Sequence, residues 1–227
     1  VRPNAATAAQ ARLVAAFAAR DDAAVEPILG DRLEMVDHRW HTTYGRDGFL
    51  ESRRRMMQAQ SADLRVEPIA TLGDFLSLNR LFFRASGSTR GRFDVGEYAA
   101  EYVNFVEVDR IGQVQRLESF AADRLQDAIT RLYQRYAELL PDGPARERAA
   151  ATARSVAVWN GPIDPDQLAT AMAPSVENAD HRSLGTWSAR GREEYLRHWR
   201  LQEELAAGWA LRDDAVGGNP LAGADQN

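Results

Sequence analysis

The sequence contains no cysteine and no lysine. Without cysteine there are no disulfides, no zinc-thiolate sites and no cysteine nucleophile. Without lysine all 28 basic residues are arginine, which excludes Schiff-base chemistry and a phosphate-loop lysine. The arginine and alanine bias itself reads as the imprint of a GC-rich genome. No run approaches the ~20 apolar residues that span a bilayer, so no membrane partner is expected. The start, Val1-Arg2-Pro3-Asn4, lacks the long apolar stretch of a secretory signal, and a cytoplasmic location is the expectation. A formal net charge of -5 argues against a nucleic-acid partner, which selects a basic footprint. Arg53-Arg54-Arg55 is the one basic cluster, and on a helix its side chains diverge, which reads as a solvated face. There is no glycine-rich phosphate loop, no Gly-x-Ser-x-Gly elbow and no zinc-binding His-Glu-x-x-His helix. His38 and His41 would point to opposite faces of a strand, and no third ligand is evident. No metal and no cofactor are expected.

What the sequence does contain is a recurrence. Asp37-His38-Arg39 returns as Asp180-His181-Arg182, inside stretches that agree beyond the tripeptide. Glu34 falls on Glu177, Thr43 on Thr186 and Tyr44 on Trp187. After a three-residue insertion, Arg46 to Leu50 falls on Arg192 to Leu196. Phe17 and Asp21-Asp22 match Trp159 and Asp164-Pro165-Asp166. Self-similarity over a whole unit is the mark of internal duplication.

The pattern along the first copy predicts a helix over residues 7–20, with Leu13, Val14 and Phe17 on one stripe, and a short helix from Asp21-Asp22 to Leu29. A strand follows over Leu33 to Trp40, then a helix capped by Asp47. Strands are predicted over Leu64 to Leu72, Phe75 to Ala85, Glu97 to Val108 and Val114 to Phe120, with a loop at 87–91 and a hairpin turn at Asp109-Arg110-Ile111-Gly112. The second of these strands changes phase between Leu78 and Leu81, as a β-bulge would make it. A last helix starts at Asp123, with Gln126 at the capping-box position. Pro141-Asp142-Gly143-Pro144 is the predicted boundary, giving a complete domain over 1–140 and a partial copy over 145–227 that lacks the long strands. That copy is a fragment end, a half completed by a partner chain, or a half leaning on the first unit.

Helix-helix-strand-helix followed by an antiparallel meander resembles the nuclear transport factor 2 family, also called SnoaL-like. The phrases that carry the resemblance are Val36-Asp37-His38-Arg39, Arg46 to Leu50 and Arg116-Leu117-Glu118-Ser119-Phe120. It implies an α+β fold, a cone-shaped curved antiparallel sheet packed on three helices around a pocket. It also implies a likeness to tandem accessory units of large actinobacterial ATPase and nucleotide-cyclase signalling proteins. Fold does not fix function.

Along the first strand Met35, Asp37 and Arg39 face one way and Val36, His38 and Trp40 the other, with either set free to face the pocket. His38, with Asp37 or Glu97 to set its charge, is the candidate base. The ligand-binding candidates are Asp37, His38, Arg39, Trp40, Tyr44, Glu97, Tyr98 and Tyr102, with Asp180, His181, Arg182 and Trp187 as their second-copy counterparts. The plainer alternative is structural: Arg39 pairs with a carboxylate and His38 bonds the backbone. Three functions remain open. One is a non-catalytic module that binds a small apolar or acidic ligand and self-associates or serves fused signalling domains. Another is a small-substrate isomerase, cyclase or dehydratase working by proton transfer. The third is a scaffold dimerising through the sheet's convex face.

Overall fold

The computed structural model describes residues 1–90, 93–95, 97–160, 164–181 and 187–216. The chain divides into two compact units, Val1–Asn160 and Gly161–Asn227. Helix α1, Ala5–Ala18, opens the first unit. Asn4 caps it: its Oδ1 accepts from Thr7 N at 3.0 Å while Thr7 Oγ1 accepts from Asn4 N at 2.9 Å. This reciprocal cap satisfies two otherwise orphaned amides and starts the helix earlier than residue 7. Ala6, Ala9, Leu13, Ala16 and Phe17 form its buried face.

The short second helix does not form. Asp21 Oδ1 accepts from Ala24 N, but the segment turns through a single 3-10 turn at Glu26–Ile28. Leu29 is already the first residue of β1, Leu29–Asp37. Pro27 supplies no amide proton to continue a helix there. The turn His38-Arg39-Trp40-His41 then leads into β2, Thr42–Gly45, which pairs antiparallel with β1. His41 adopts a φ of 52°. The predicted strand to Trp40 is therefore a strand to Asp37, a tight turn and a return strand. Helix α2, Arg46–Met57, takes Gly45 as its N-cap, and Asp47 sits in the first turn without capping. Its negative charge there suits the helix dipole.

The meander comprises β3, Ser61–Leu72, and β4, Leu76–Ser86. A small ladder of β5, Ser88–Arg90, and β6, Phe93–Val95, stands where a loop was expected. Then come β7, Tyr98–Val108, and β8, Val114–Ala121. The 109–112 turn forms as predicted, with Asp109 Oδ1 accepting from Ile111 N and Gln113 N. The main sheet has the order β2-β1-β8-β7-β4-β3. It is α+β architecture with one correction: β1 joins β8 in parallel, so the sheet is mixed rather than wholly antiparallel.

The phase change in β4 has two causes. Pro68 faces Asn79 and Ala70 faces Leu78, so the bulge is present but its extra residue, Ile69, lies on β3. Moreover, both faces of β4 are covered. Leu76 and Leu78 pack with Val103, Phe105 and Phe120 under Ala128 and Leu132 of α3, Leu125–Leu139. Leu81 and Phe83 are buried too, and the Phe83 ring meets Phe17 of α1 edge-on at 6.0 Å. Between α1, α2 and the other sheet face lies a second cluster that includes Leu13, Leu33, Met35, Leu50, Val106 and Leu117. The sheet is thus a layer between two apolar cores.

Helix α3 follows a 3-10 turn at Ala122–Arg124 and has no side-chain cap, so neither Asp123 nor Gln126 acts as one. Helix α4, Pro144–Asn160, packs along α3, and Asn160 Nδ2 reaches Gln126 O and Thr130 Oγ1, each at 3.2 Å. Helix α4 accordingly belongs to the first compact unit, which ends at Asn160. Arg53 is also unlike the expectation: it is 4% exposed, bonded to Asp22 and set over Phe17, while Arg54 is exposed and Arg55 pairs with Glu51.

The second unit contains α5, Pro165–Ala171, capped by Asp164, a minimal hairpin of β9, Glu177–Asn178, with β10, Ala189–Arg190, and α6, Arg192–Val216. Leu168, Ala189, Tyr195 and Leu196 are its buried residues among those described.

Candidate functional site

The turn at 38–41 distributes adjacent side chains to opposite faces of the first-unit sheet. Asp37, the last residue of β1, points into a concave cavity of about 790 Å³. From the strands, Met35, Thr42, Tyr44, Tyr102, Asn104 and Ser119 line it. Helix α2 contributes Ser52, Arg55 and Met56, and the turn contributes Arg39 and Trp40. Trp40 is 74% exposed, which places its ring at the rim. A cavity of this size, where methionine and aromatic side chains alternate with polar and charged ones, is large enough to take a small molecule.

Arg39 curls back over Asp37. Its backbone N and Nε donate to Oδ1 at 3.0 and 2.9 Å, and NH2 donates to Oδ2 at 2.6 Å. The planar fork fits the carboxylate in two places, which a lysine could not do. Arg39 also lies over the Tyr102 ring, 4.4 Å from its centroid. Burial lowers the Arg39 pKa, but the bond and charge of Asp37 outweigh it and hold it above the usual value. Burial pushes the Tyr102 phenol up, against the pull of Arg39. Burial and the Asp37 charge raise Tyr44 as well, against Ser52 and Arg39. Both tyrosines therefore stay protonated and able to donate at neutral pH.

His38 lies on the other face. Its amide donates to Ser119 O at 2.9 Å, while the ring bonds a carboxylate rather than the backbone. Ring Nε2 lies 2.9 Å from Glu118 Oε2, and the ring plane is stacked on Phe120 at 4.3 Å. Glu118 is 2% exposed and also accepts from Arg116 NH1 and Arg131 Nε. Burial raises its pKa, but His38, Arg131 and Arg116 outweigh burial and hold it below the usual carboxylate range. The network runs on through Arg131 and Arg135 to Glu138 and Glu107, and through Arg116 to Glu34. His38 and His41 line one cleft of about 670 Å³ with Phe120, Arg124 and Thr130. They share a side because the segment is a turn, not the strand that would have separated them.

Glu97 is exposed at the start of β7, and Tyr98, 50% exposed, rests against Phe83 at 6.0 Å. Neither lines the concave cavity. In the second unit Asp180 is half-buried, His181 is exposed, and Trp187 stacks on His198 at 3.7 Å and meets Tyr195 at 5.2 Å. Arg182 lies outside the described residues.

Sequence reasoning missed the floor of the cavity. Asp37 registers with Ser119, Ser119 with Asn104, and Asn104 with Asn79. These four buried polar residues form a row across four strands. The only signal was that Asn79, Asn104 and Ser119 each stand between apolar neighbours or near them in strands that carry other polar residues as well. An unsatisfied buried polar group costs about 1–3 kcal/mol, so such a row is not a neutral filling.

No family model and no curated protein sequence matches the chain. Among solved structures, a Xanthomonas campestris protein classed as a polyketide cyclase is 20% identical, with a TM-score of 0.44 over 56% of this chain and 96% of its own. A cystatin-fold protein of Novosphingobium aromaticivorans is 14% identical, with a TM-score of 0.43 over 52% of this chain and 99% of its own. A Mycobacterium tuberculosis protein in complex with estradiol-17beta-hemisuccinate is 12% identical, with a TM-score of 0.45 over 53% of this chain and 97% of its own. At such identities and scores, function has to be argued from the geometry of this chain.

Proposed function

We propose that the first unit is a non-catalytic binding module that takes a small, mainly apolar ligand in the concave cavity. The observation that carries this reading is the state of Asp37. It is the one carboxylate among the described residues lining the cavity, and Arg39 holds both of its oxygens. A base so engaged is poorly placed to take a proton from a ligand. His38, the other candidate, faces away. Met35, Met56, Tyr44, Tyr102 and Trp40 provide apolar and aromatic contact area.

The chain is further read as an accessory part of a larger bacterial signalling protein, self-associating or fused to other domains. Residues 145–227 are read as a partial second copy. In support, α2 begins at Arg46 after Gly45 and α6 begins at Arg192 after Gly191, each following a hairpin. The test of the binding role is titration of the full chain with dimethylaminonaphthalene, followed by its fluorescence. Saturable binding that Ser52→Trp abolishes, by filling the cavity from α2, is expected. Binding unchanged in that variant overturns the reading.

A further inference from the structure

Asn104 is the last residue of the polar row to line the cavity and brings an unused donor to it; Asn79, at the end of the row, donates to Ser77 Oγ, leaves its own Oδ1 unpaired and does not line the cavity. Ser119 Oγ donates to Asn104 Oδ1 at 2.7 Å. Asn104 Nδ2 is then left without a protein partner among the described residues. Asn104 is 7% exposed and lines the cavity. Two residues earlier on the same strand face stands the half-buried Tyr102, whose phenol is a second donor. Meanwhile the charges nearby are spent on each other: Asp37 on Arg39, and Arg55 on Glu51.

A floor with donors and no free charge recognises an uncharged acceptor. We infer that Asn104, with Tyr102, seats the carbonyl oxygen of a neutral, ring-bearing ligand, and that ligands lacking this oxygen are discriminated against. The inference rests on the cavity being the ligand site. It adds the end of the cavity at which the polar group of the ligand lies and the chemical class of that group. A carboxylate ligand is disfavoured, because Arg39 would have to give up Asp37 to receive it. A site built to hydrogen-bond an oxygen rejects an analogue without it, since the donors are then left unpaired and dry.

The experiment uses two probes on the full chain: dimethylaminonaphthalene bearing a propionyl group, and the same molecule without it. The propionyl probe reports hydrogen bonding at its carbonyl by a red shift in emission. Wild type is expected to bind it about tenfold more tightly than the plain probe, with a red-shifted spectrum. Asn104→Leu combined with Ser119→Ala removes both partners of the floor bond, so neither is left unpaired. In that variant the preference for the propionyl probe over the plain one and the red shift are expected to vanish. His38→Asn, which alters the opposite face of the sheet, should keep the preference, which separates loss of recognition from loss of fold. Equal binding of both probes by wild type overturns the inference and leaves the cavity reading standing. A preference that survives in the double variant does the same. Binding of neither probe overturns both.

Discussion

Asp37 and His38 are neighbours in the chain, yet their side chains serve opposite faces of one sheet. The Asp37 carboxylate is held by Arg39 inside the concave cavity, while the His38 ring meets Glu118 at 2.9 Å on the α3 side. The repeated tripeptide is therefore not a single constellation. It is a junction in which one residue belongs to a cavity and the next to a buried charge network.

This separation gives a first prediction. His38→Asn should lower stability by about 1 kcal/mol through the lost bond and ring stacking. Affinity for an apolar probe in the cavity should stay within about twofold, since the ring does not line it. Urea unfolding and a fluorescence titration on the same variant check both halves. A large loss of affinity at unchanged stability would make His38 part of the binding machinery after all.

The Asp37–Arg39 pair gives a second. Asp37→Asn removes the charge that occupies Arg39 and frees the guanidinium fork for an acidic ligand. Naphthoate, weak on wild type, should bind this variant about tenfold more tightly. Isothermal titration measures it. Unchanged naphthoate affinity would mean that Arg39 does not face the ligand.

Acid should unfold the protein in part through Glu118. Its folded pKa, like that of Glu138, is held below the ordinary carboxylate value. A depressed folded pKa means that the stabilisation is fully present above the unfolded value of about 4.3 and is lost as pH falls through the folded one. Urea midpoints measured down to about pH 3 should therefore fall with acid. Glu118→Gln should flatten that decline and lower stability near neutrality by about 2 kcal/mol. That is less than the ~3–5 kcal/mol for breaking a fully buried pair, because Arg116, Arg131 and His38 are partly exposed. A decline as steep as that of wild type would remove Glu118 from the account.

The packing of α3 can be tested apart from the cavity. Leu132 is 2% exposed between α3 and the sheet. Leu132→Ala should cost about 2–5 kcal/mol. If α3 loosens, Phe105 and Phe120 become accessible, and self-association should rise. Sedimentation velocity of the variant against wild type reads this directly. An equally stable, unchanged species would show that α3 does not seal that face.

The order of elements was legible because periodicity reports it. The long strands, the 109–112 turn and the longer helices of the first unit follow from spacing and turn residues, whereas the short helix expected over 21–29 does not form. What failed was local. Asp47, Asp123 and Gln126 have the chemistry of caps, but Gly45 and a 3-10 turn begin those helices instead. At Leu78–Leu81 the pattern mixed two messages, a bulge on the partner strand and cores on both faces, which one strand's sequence cannot separate. The turn at 38–41 was hidden because strand-forming residues continue into it; only pairing with β2 bends the chain back. The polar floor of Asn104 and Ser119 depends on register between distant strands, and so emerges only when the sheet is assembled.

The central claim is that the concave cavity is the ligand site, and the four methionines test it most directly. Met35 and Met56 line the cavity; Met57 and Met172 do not. With methyl-labelled methionine, titration of the full chain with dimethylaminonaphthalene should shift the Met35 and Met56 methyl resonances saturably and leave those of Met57 and Met172 in place. Shifts confined to Met57 or Met172, or no saturable shift at all, would contradict it.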